Sequence, residues 1–381
     1  MSKAAELAAL IANVNKGSSL AAKNFIINGK FDVAQRGTSI SGIENYTLDR
    51  WKIDRNNVDN CAATVIQSTD VPSGQGFMNA LRIDITTAES ALAADETLQF
   101  EHIIESQNLQ PLCHGTSNAK PITLSFWVKS NVTGTYAVSI YHYDGNDMIN
   151  AQYTISSANT WEYKTMTFVG NTDSGAVIAD DNTHGLKFNF ILAAGSNYTG
   201  TTTATWQTYA NAQFAGGQTA NIMSSTDNDW AITGVQLEIG EKATEFEHEP
   251  FETTLNKCYR YYFRIAGSDV QSGKIKTSYR KRSGDGYWYN DTSFLAQYIL
   301  PVPMRDVPTA LEQSGTDSDY DVAYRGTTST AGGGNLVLFN DANQNYVTTF
   351  QAGHTDNNAT GEAGQQRIRQ AAGYLAWSVE L

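Results

Sequence analysis

The stretch ITLSFWVKSNVTGTYAVSIYHYDGND (residues 122–147) sets the terms for the whole chain. Leu124, Phe126 and Val128 project one way, and Thr123, Ser125, Trp127 and Lys129 the other. This is the period-two pattern of a strand with one buried face. A second run follows, in which Tyr136, Val138, Ile140 and His142 alternate with Ala137, Ser139, Tyr141 and Tyr143. Asp144-Gly145 then predicts a hairpin turn of type I′, which needs positive φ at both central residues. The return strand is expected around residues 151–155.

The same alternation recurs on the C-terminal side. In WEYKTMTFVG (161–170), Trp161, Tyr163, Thr165 and Thr167 oppose Glu162, Lys164, Met166 and Phe168. Leu186, Phe188, Phe190 and Leu192 share one face of their run, and Trp230, Ile232, Val235, Leu237 and Ile239 mark a further strand. Its alternation slips at Thr233-Gly234, the signature of a bulge. Short strands with polar turns between them predict an antiparallel β-sandwich. Trp51, Trp127, Trp161 and Trp230 are expected in its core.

At 381 residues the chain exceeds the length at which one core usually stops growing. The predicted division is an attachment helix and linker over residues 1–23, a sandwich over 24–250 and a smaller C-terminal β domain over 251–381. The helix rests on KAAELAALIANVN (3–15), where Leu7, Leu10, Ile11 and Val14 keep helical spacing and Gly17 ends the run. So short a helix is marginal alone in water, and its apolar stripe is expected to dock on another protein. FETTLNKCYRYY (251–262) reads as a second short helix capped near Thr253 or Thr254, with Leu255, Cys258, Tyr259 and Tyr262 on one stripe. Beyond it come strand-like runs such as KIKTSYRKR (274–282), GYWYNDTSFLAQYIL (286–300) and YVTTFQAG (346–353).

Composition narrows the function classes. Only 17% of residues are charged, so polarity is carried by uncharged side chains that suit strands and turns. A formal net charge of −13 repels phosphate backbones, which argues against nucleic acid. No apolar run reaches the ~18–20 residues of a membrane helix, so membrane insertion is not expected. The run from Leu7 to Val14 is broken by Asn13 and follows Glu6, which does not fit a signal peptide. Cys61, Cys113 and Cys258 lie too far apart to build a disulfide framework or a CxxC metal pair, and are expected as reduced thiols.

Catalytic constellations are missing from the sequence: there is no phosphate loop, no GxSxG and no HExxH. EHIIE (101–105) offers a single histidine, His102, within a strand-like stretch. The carboxylate pairs Asp144 and Asp147, Asp180 and Asp181, and Glu245 and Glu247 are neighbours in turns, where solvated turn chemistry accounts for them. The chain is therefore expected not to be an enzyme.

A wider pattern emerges from NFIINGKFDVAQRGTS (24–39), YTLDRW (46–51), residues 122–142, TWEYKTMTFVGNTDSG (160–175), FILAAGSNYTG (190–200), WAITGVQLEIGEKATEFEHEPFE (230–252), LNKCYRYY (255–262), VPMRDVPT (302–309) and AWSVEL (376–381). In this order the blocks resemble bacteriophage tail fibre proteins with a carbohydrate-binding-like jelly-roll domain. The resemblance implies a jelly-roll sandwich with a C-terminal β fibre domain. It also implies a homotrimer on the virion surface, fixed to other virion proteins through its N-terminal segment and adhering to host surface glycans. A purely structural virion component, such as a head fibre or tail adaptor, is the alternative. Such folds often hold a structural calcium ion, for which Asp173, Asp180, Asp181 and Asn182 are the candidate ligands, although a solvated acidic loop explains them as well. No other cofactor is expected.

For glycans, pyranose rings present C–H faces to aromatic side chains while their hydroxyls pair with amides and carboxylates. Tyr141, Tyr143 and Asn146 at one hairpin tip fit that chemistry, as do Tyr287, Trp288, Tyr289 and Asn290 in GYWYND. Inter-subunit packing is the competing explanation for both clusters.

Overall fold

The computed structural model describes residues 3, 24–58, 60–266, 281–313, 320–324, 327–330, 336–354, 360–368 and 374–381. The expected N-terminal helix, with Leu7, Leu10, Ile11 and Val14, lies outside the described residues, as do residues 274–280.

Thirteen strands build the sandwich: β1 Ser39–Ser41, β2 Asn45–Tyr46, β3 Trp51–Asn56, β4 Ala62–Ser68, β5 Ala80–Thr87, β6 Thr97–Glu105, β7 Ile122–Ser130, β8 Gly134–His142, β9 Asp147–Ile155, β10 Glu162–Phe168, β11 His184–Ala194, β12 Gln207–Thr208 and β13 Asp229–Ile239. One sheet runs β1-β4-β5-β13-β7-β10 and the other β12-β9-β8-β11-β6-β3-β2, with every pair antiparallel. Chain neighbours often sit in opposite sheets, which is the jelly-roll arrangement. Leu124, Phe126 and Val128 face Leu186, Phe188, Phe190 and Leu192 across an apolar interior. Its centre is aromatic. Trp51 stacks on Phe100 at 4.8 Å, and Phe126 meets Phe190 edge-on at 5.2 Å. Each fully buried side chain of this size contributes about 1.5–3 kcal/mol of hydrophobic stabilisation.

The predicted bulge is present. The β13–β7 register shifts between Thr233 and Gln236, and Gly234 takes φ +63° with the Phe77 ring against its α-carbon. The predicted hairpin also forms, with β9 starting at Asp147, but its turn differs from type I′. Among residues 143–146 only Asn146 has positive φ, and its N–H donates to the Tyr143 carbonyl. Two tryptophans also depart from expectation. Trp51 and Trp230 are fully buried, whereas Trp127 and Trp161 stand half-exposed on the outer face of the first sheet. There Trp127 packs on Tyr163, and Trp161 donates to Asp70. Trp127 falls between the inward Phe126 and Val128, so its parity in the strand outweighs its hydrophobicity.

Helix α1 (Phe251–Tyr259) follows, with Pro250, not Thr253 or Thr254, in the cap position. Proline suits this place because the first turn has no partner for its missing N–H. Leu255 and Cys258 bury against Val33 of the sandwich. Then come β14 Tyr262–Ala266, β15 Lys281–Asn290, β16 Ser293–Ile299, β17 Glu312–Gln313, β18 Tyr320–Tyr324, β19 Thr327–Thr330, β20 Leu336–Ala342, β21 Tyr346–Gln351, β22 Ala363–Ile368 and β23 Tyr374–Ser378. A sheet ordered β14-β23-β17 and another ordered β19-β18-β22-β15-β16-β21-β20 enclose a second core around Trp288, Phe294, Tyr298 and Trp377. Polar and ionic contacts tie the two parts together. Gln35 Nε2 donates to the Tyr262 carbonyl at 2.8 Å, Arg36 meets Glu380 at 3.2 Å, and Arg50 pairs with Glu380 in the interior.

Candidate glycan-binding trough

The inner residues of β8, β11, β6 and β3 fill the core, so the alternate residues stand on the outer face of the seven-stranded sheet. Register places Asn150, Ser139, Asn189, Glu101 and Lys52 in one row across five strands. At one end of the strands the segment 195–218 covers the sheet, with Tyr198, Phe214 and Ala215 packed on Ala137 and Ile191. Tyr198 Oη accepts from Asn56 Nδ2 there at 2.8 Å. At the other end the C-terminal part closes over the sheet. Arg260 clasps Glu105 in a two-point pair at 2.7 and 2.8 Å, and Arg50 lies beneath the Tyr261 ring. The strip of outer face between these two covers, referred to as the trough, has half-buried Lys52, Lys187 and Tyr141 beside fully buried Ser139 and Asn189.

Its floor is polar and incompletely paired. Ser139 Oγ and Asn189 Oδ1 are buried without a hydrogen-bond partner. The Asn189 amide is held by the Ser139 carbonyl, to which its Nδ2 donates at 3.3 Å. Buried polar atoms normally find partners, and each exception asks for an explanation. Beside them Glu101 takes Lys187 at 3.2 Å and Lys52 at 3.8 Å, and Lys52 also reaches Asp54 at 3.2 Å. Burial raises the Glu101 pKa, and Lys187 pulls it back. Burial works against the Lys187 charge, but Glu101 and Tyr143 hold its pKa above the ordinary value.

Aromatic rings frame this floor. Tyr141 meets Tyr143 at 4.8 Å and Tyr209 at 5.3 Å, both edge-on, and Tyr143 leans on His184 at 4.7 Å. All four rings are half-buried. Tyr141 Oη donates to Asn146 Oδ1 at 2.9 Å, so the predicted trio is gathered at the hairpin, with Asn146 fixing the Tyr141 ring. Ser139, Asn189, Glu101, Lys187, His184 and Tyr209 were not anticipated. For Ser139, Asn189, Glu101 and Lys187 the signal is polar residues at the outward positions of strands whose inward positions are mostly apolar, as in Lys187 and Asn189 between Leu186, Phe188 and Phe190.

The second predicted cluster divides. Tyr287 and Tyr289 are 47% and 51% exposed on the outer face of their sheet, whereas Trp288 points inward and is fully buried, which removes it as a contact residue. Asn290 caps its own turn, accepting from the Thr292 N–H at 3.0 Å. Tyr289 lies 6.1 Å from Phe350 and 6.5 Å from Phe339, and Val337 and Ile299 are exposed on the same face. This surface is apolar and does not join the trough.

The proposed calcium ligands are not brought together. Asp173 Oδ1 accepts from the Gly175 N–H, Asp181 Oδ1 accepts from Thr183, and Asn182 Nδ2 donates to the Arg305 carbonyl. Among the described residues no three of His, Cys, Asp and Glu converge on a metal position. His102 is buried against Trp51 on the inner face. The three cysteines are free thiols, and no helix among the described residues is long and apolar enough to cross a membrane.

No protein-family model matches the chain, and no curated protein does either. Similar solved structures include the enzymatically active domain of tailspike protein 4 of bacteriophage CBA120, at 16% identity and TM-score 0.31, over 57% of this chain and 21% of that one. The chain thus spans about a fifth of the tailspike structure. A family 11 carbohydrate-binding module of a Clostridium thermocellum cellulosomal cellulase is similar at 11% identity and TM-score 0.28, over 54% of this chain and 96% of the module. A xylan-binding domain from Paenibacillus barcinonensis is similar at 8% identity and TM-score 0.27, over 53% and 99% of the two chains.

Proposed function

We propose that the protein is a glycan-binding adhesin that holds a saccharide chain in the trough of its sandwich, without catalysis. The observation that carries this reading is the group of half-buried Tyr141, Tyr143 and Tyr209 rings on the outer face of the sheet, which stands with Lys187 and Lys52 beside a row of buried polar residues. A hydroxyl both donates and accepts, so sugar hydroxyls pair with the polar side chains at this surface while ring C–H faces cover the tyrosines. Lys52, Lys187 and Glu101 add further donors and an acceptor. Single-site contacts of this kind are weak, and several copies on one particle raise their effective concentration. The blocks resembling tail fibres support placing those copies on a virion, facing the host surface.

The test is a glycan array probed with the full chain, followed by calorimetry on the best hits. Binding lost in both the Tyr141→Ala and Tyr209→Ala variants supports the trough, and binding unchanged in both removes it.

A specific observation favours a second, structural role for the C-terminal part. Tyr287, Tyr289, Ile299 and Val337 expose an apolar sheet face that suits contact with sister chains in a homotrimer. Native mass spectrometry separates the alternatives: a trimer broken by Tyr289→Glu supports packing, and a stable monomer rejects it.

A further inference from the structure

A cavity of about 340 Å³ opens at the end of the sandwich where the β6–β7 link meets the β10–β11 loop. Leu109, Val177 and Ile178 supply apolar walls, and Gln110 pins one side by donating to the Ile178 and Ala179 carbonyls at 3.2 and 2.9 Å. His114 lines the cavity, is 4% exposed, and has no hydrogen-bond partner on either ring nitrogen. Behind it stand His142 at 6.2 Å and Trp206 at 5.5 Å between ring centres. Both His142 ring nitrogens also lack partners.

Burial, with a smaller push from His142, lowers the His114 pKa to about 4, so its ring is neutral in ordinary buffers. A neutral imidazole offers one donor and one acceptor. No charged side chain lines the cavity. A bound anion or cation would therefore lose its hydration without compensation. Two imidazoles also raise the question of a divalent metal, but no third ligand converges on them among the described residues.

We propose that this cavity is a second binding site, separate from the trough, for a neutral polyhydroxylated ligand about the size of one sugar ring. Its hydroxyls bond to His114 and its carbon face rests on Leu109, Val177 and Ile178. A volume of this order falls in the range of small-ligand pockets. None of these residues belongs to the trough, so the two sites stand or fall separately.

The test is nuclear magnetic resonance of the full chain labelled with ¹⁵N at histidine, titrated with methyl glucoside, methyl galactoside, N-acetylglucosamine and, separately, zinc chloride. The expected result is a saturable shift of the His114 ring nitrogens with at least one sugar in the millimolar range, retained in Tyr141→Ala. Val177→Trp, at the exposed mouth of the cavity, should weaken that response by about tenfold or more. His114→Phe should abolish sugar binding at this site, read by competition with the best probe, while Val177→Trp keeps the test valid if that variant folds poorly. The proposal is overturned if no sugar moves the His114 signals, if the shift vanishes in Tyr141→Ala, if Val177→Trp leaves it unchanged, or if only zinc produces it.

Discussion

Arg50 and Glu380 pair in the interior although 330 residues separate them in the chain. Arg50 is sandwiched further by the Tyr261 ring at 3.5 Å and by the Ile103 carbonyl, to which its Nη2 donates at 2.6 Å. Arg36 reaches the same carboxylate at 3.2 Å. One glutamate near the C-terminus thus neutralises two guanidinium groups of the sandwich. Removing it leaves a buried charge uncompensated, which costs about 3–5 kcal/mol. Glu380→Ala should lower the urea midpoint strongly, and Glu380→Gln, which retains hydrogen bonding, should lower it less. Equal midpoints for the two variants would show that the lost charge accounts for the whole effect and that hydrogen bonding adds nothing there.

Ligand contact at the trough separates from stability. Tyr141 is half-buried and its phenol bonds only to Asn146 among the described residues, so Tyr141→Phe should leave the thermal midpoint within a degree or two. Tyr141→Ala removes the ring and should weaken glycan binding by about 1 kcal/mol or more, the scale of one aromatic contact. Calorimetry on both variants checks this. Affinity lost equally in the two would move the role from the ring to the hydroxyl.

What the sequence makes legible is local, and what it hides is register. The parity of Leu186, Phe188 and Phe190 names the inner face, and Gly234 marks the bulge, because each rests on a few adjacent residues. Asn189 touches Ser139 and stands opposite Glu101 only because β11 pairs between β8 and β6, strands that precede it by long stretches. No local pattern encodes that order. Trp127 and Trp161 show the converse, in which strand parity outweighs the preference of a large aromatic for the core. Tyr287 and Tyr289 share an exposed face as their spacing implies, and the same alternation is what turns Trp288 inward.

Acid should loosen the fold well before the carboxylates titrate. The His114 pKa falls from 6.5 in the open chain to about 4 in the fold, chiefly through burial. Burial also lowers the pKa of His142, against the upward pull of Asp144 and Asp147. Between those two values the unfolded chain binds more protons, so stability present above pH 6.5 is lost as pH falls toward 4. For His114 alone the loss is on the order of 3 kcal/mol. Burial raises the pKa of Glu101 and Asp49, which opposes this trend on the acid side. Urea denaturation at pH 7 and pH 4.5, roughly the ends of this window, should show the drop, with a shallower slope in His114→Phe. An unchanged slope would assign the acid sensitivity elsewhere.

Two glycines separate backbone strain from crowding at the bulge. Gly74 and Gly234 both have positive φ, at +74° and +63°. A Cβ on Gly74 meets nothing within 4 Å, whereas one on Gly234 lies 2.5 Å from the Phe77 ring. Alanine in the left-handed region costs about 1–2 kcal/mol, so Gly74→Ala should lose that much and little else. Gly234→Ala bears the same cost and must also displace Phe77, which packs on Phe246 at 5.1 Å and His248 at 5.3 Å. Overpacking of this kind adds about 1–3 kcal/mol. Thermal denaturation should therefore rank Gly234→Ala clearly below Gly74→Ala. Coupling Gly234→Ala to Phe77→Leu, which frees space for the new methyl group, should recover part of the difference. No recovery would show that the bulge is sensitive to backbone conformation alone and that the Phe77 contact is incidental.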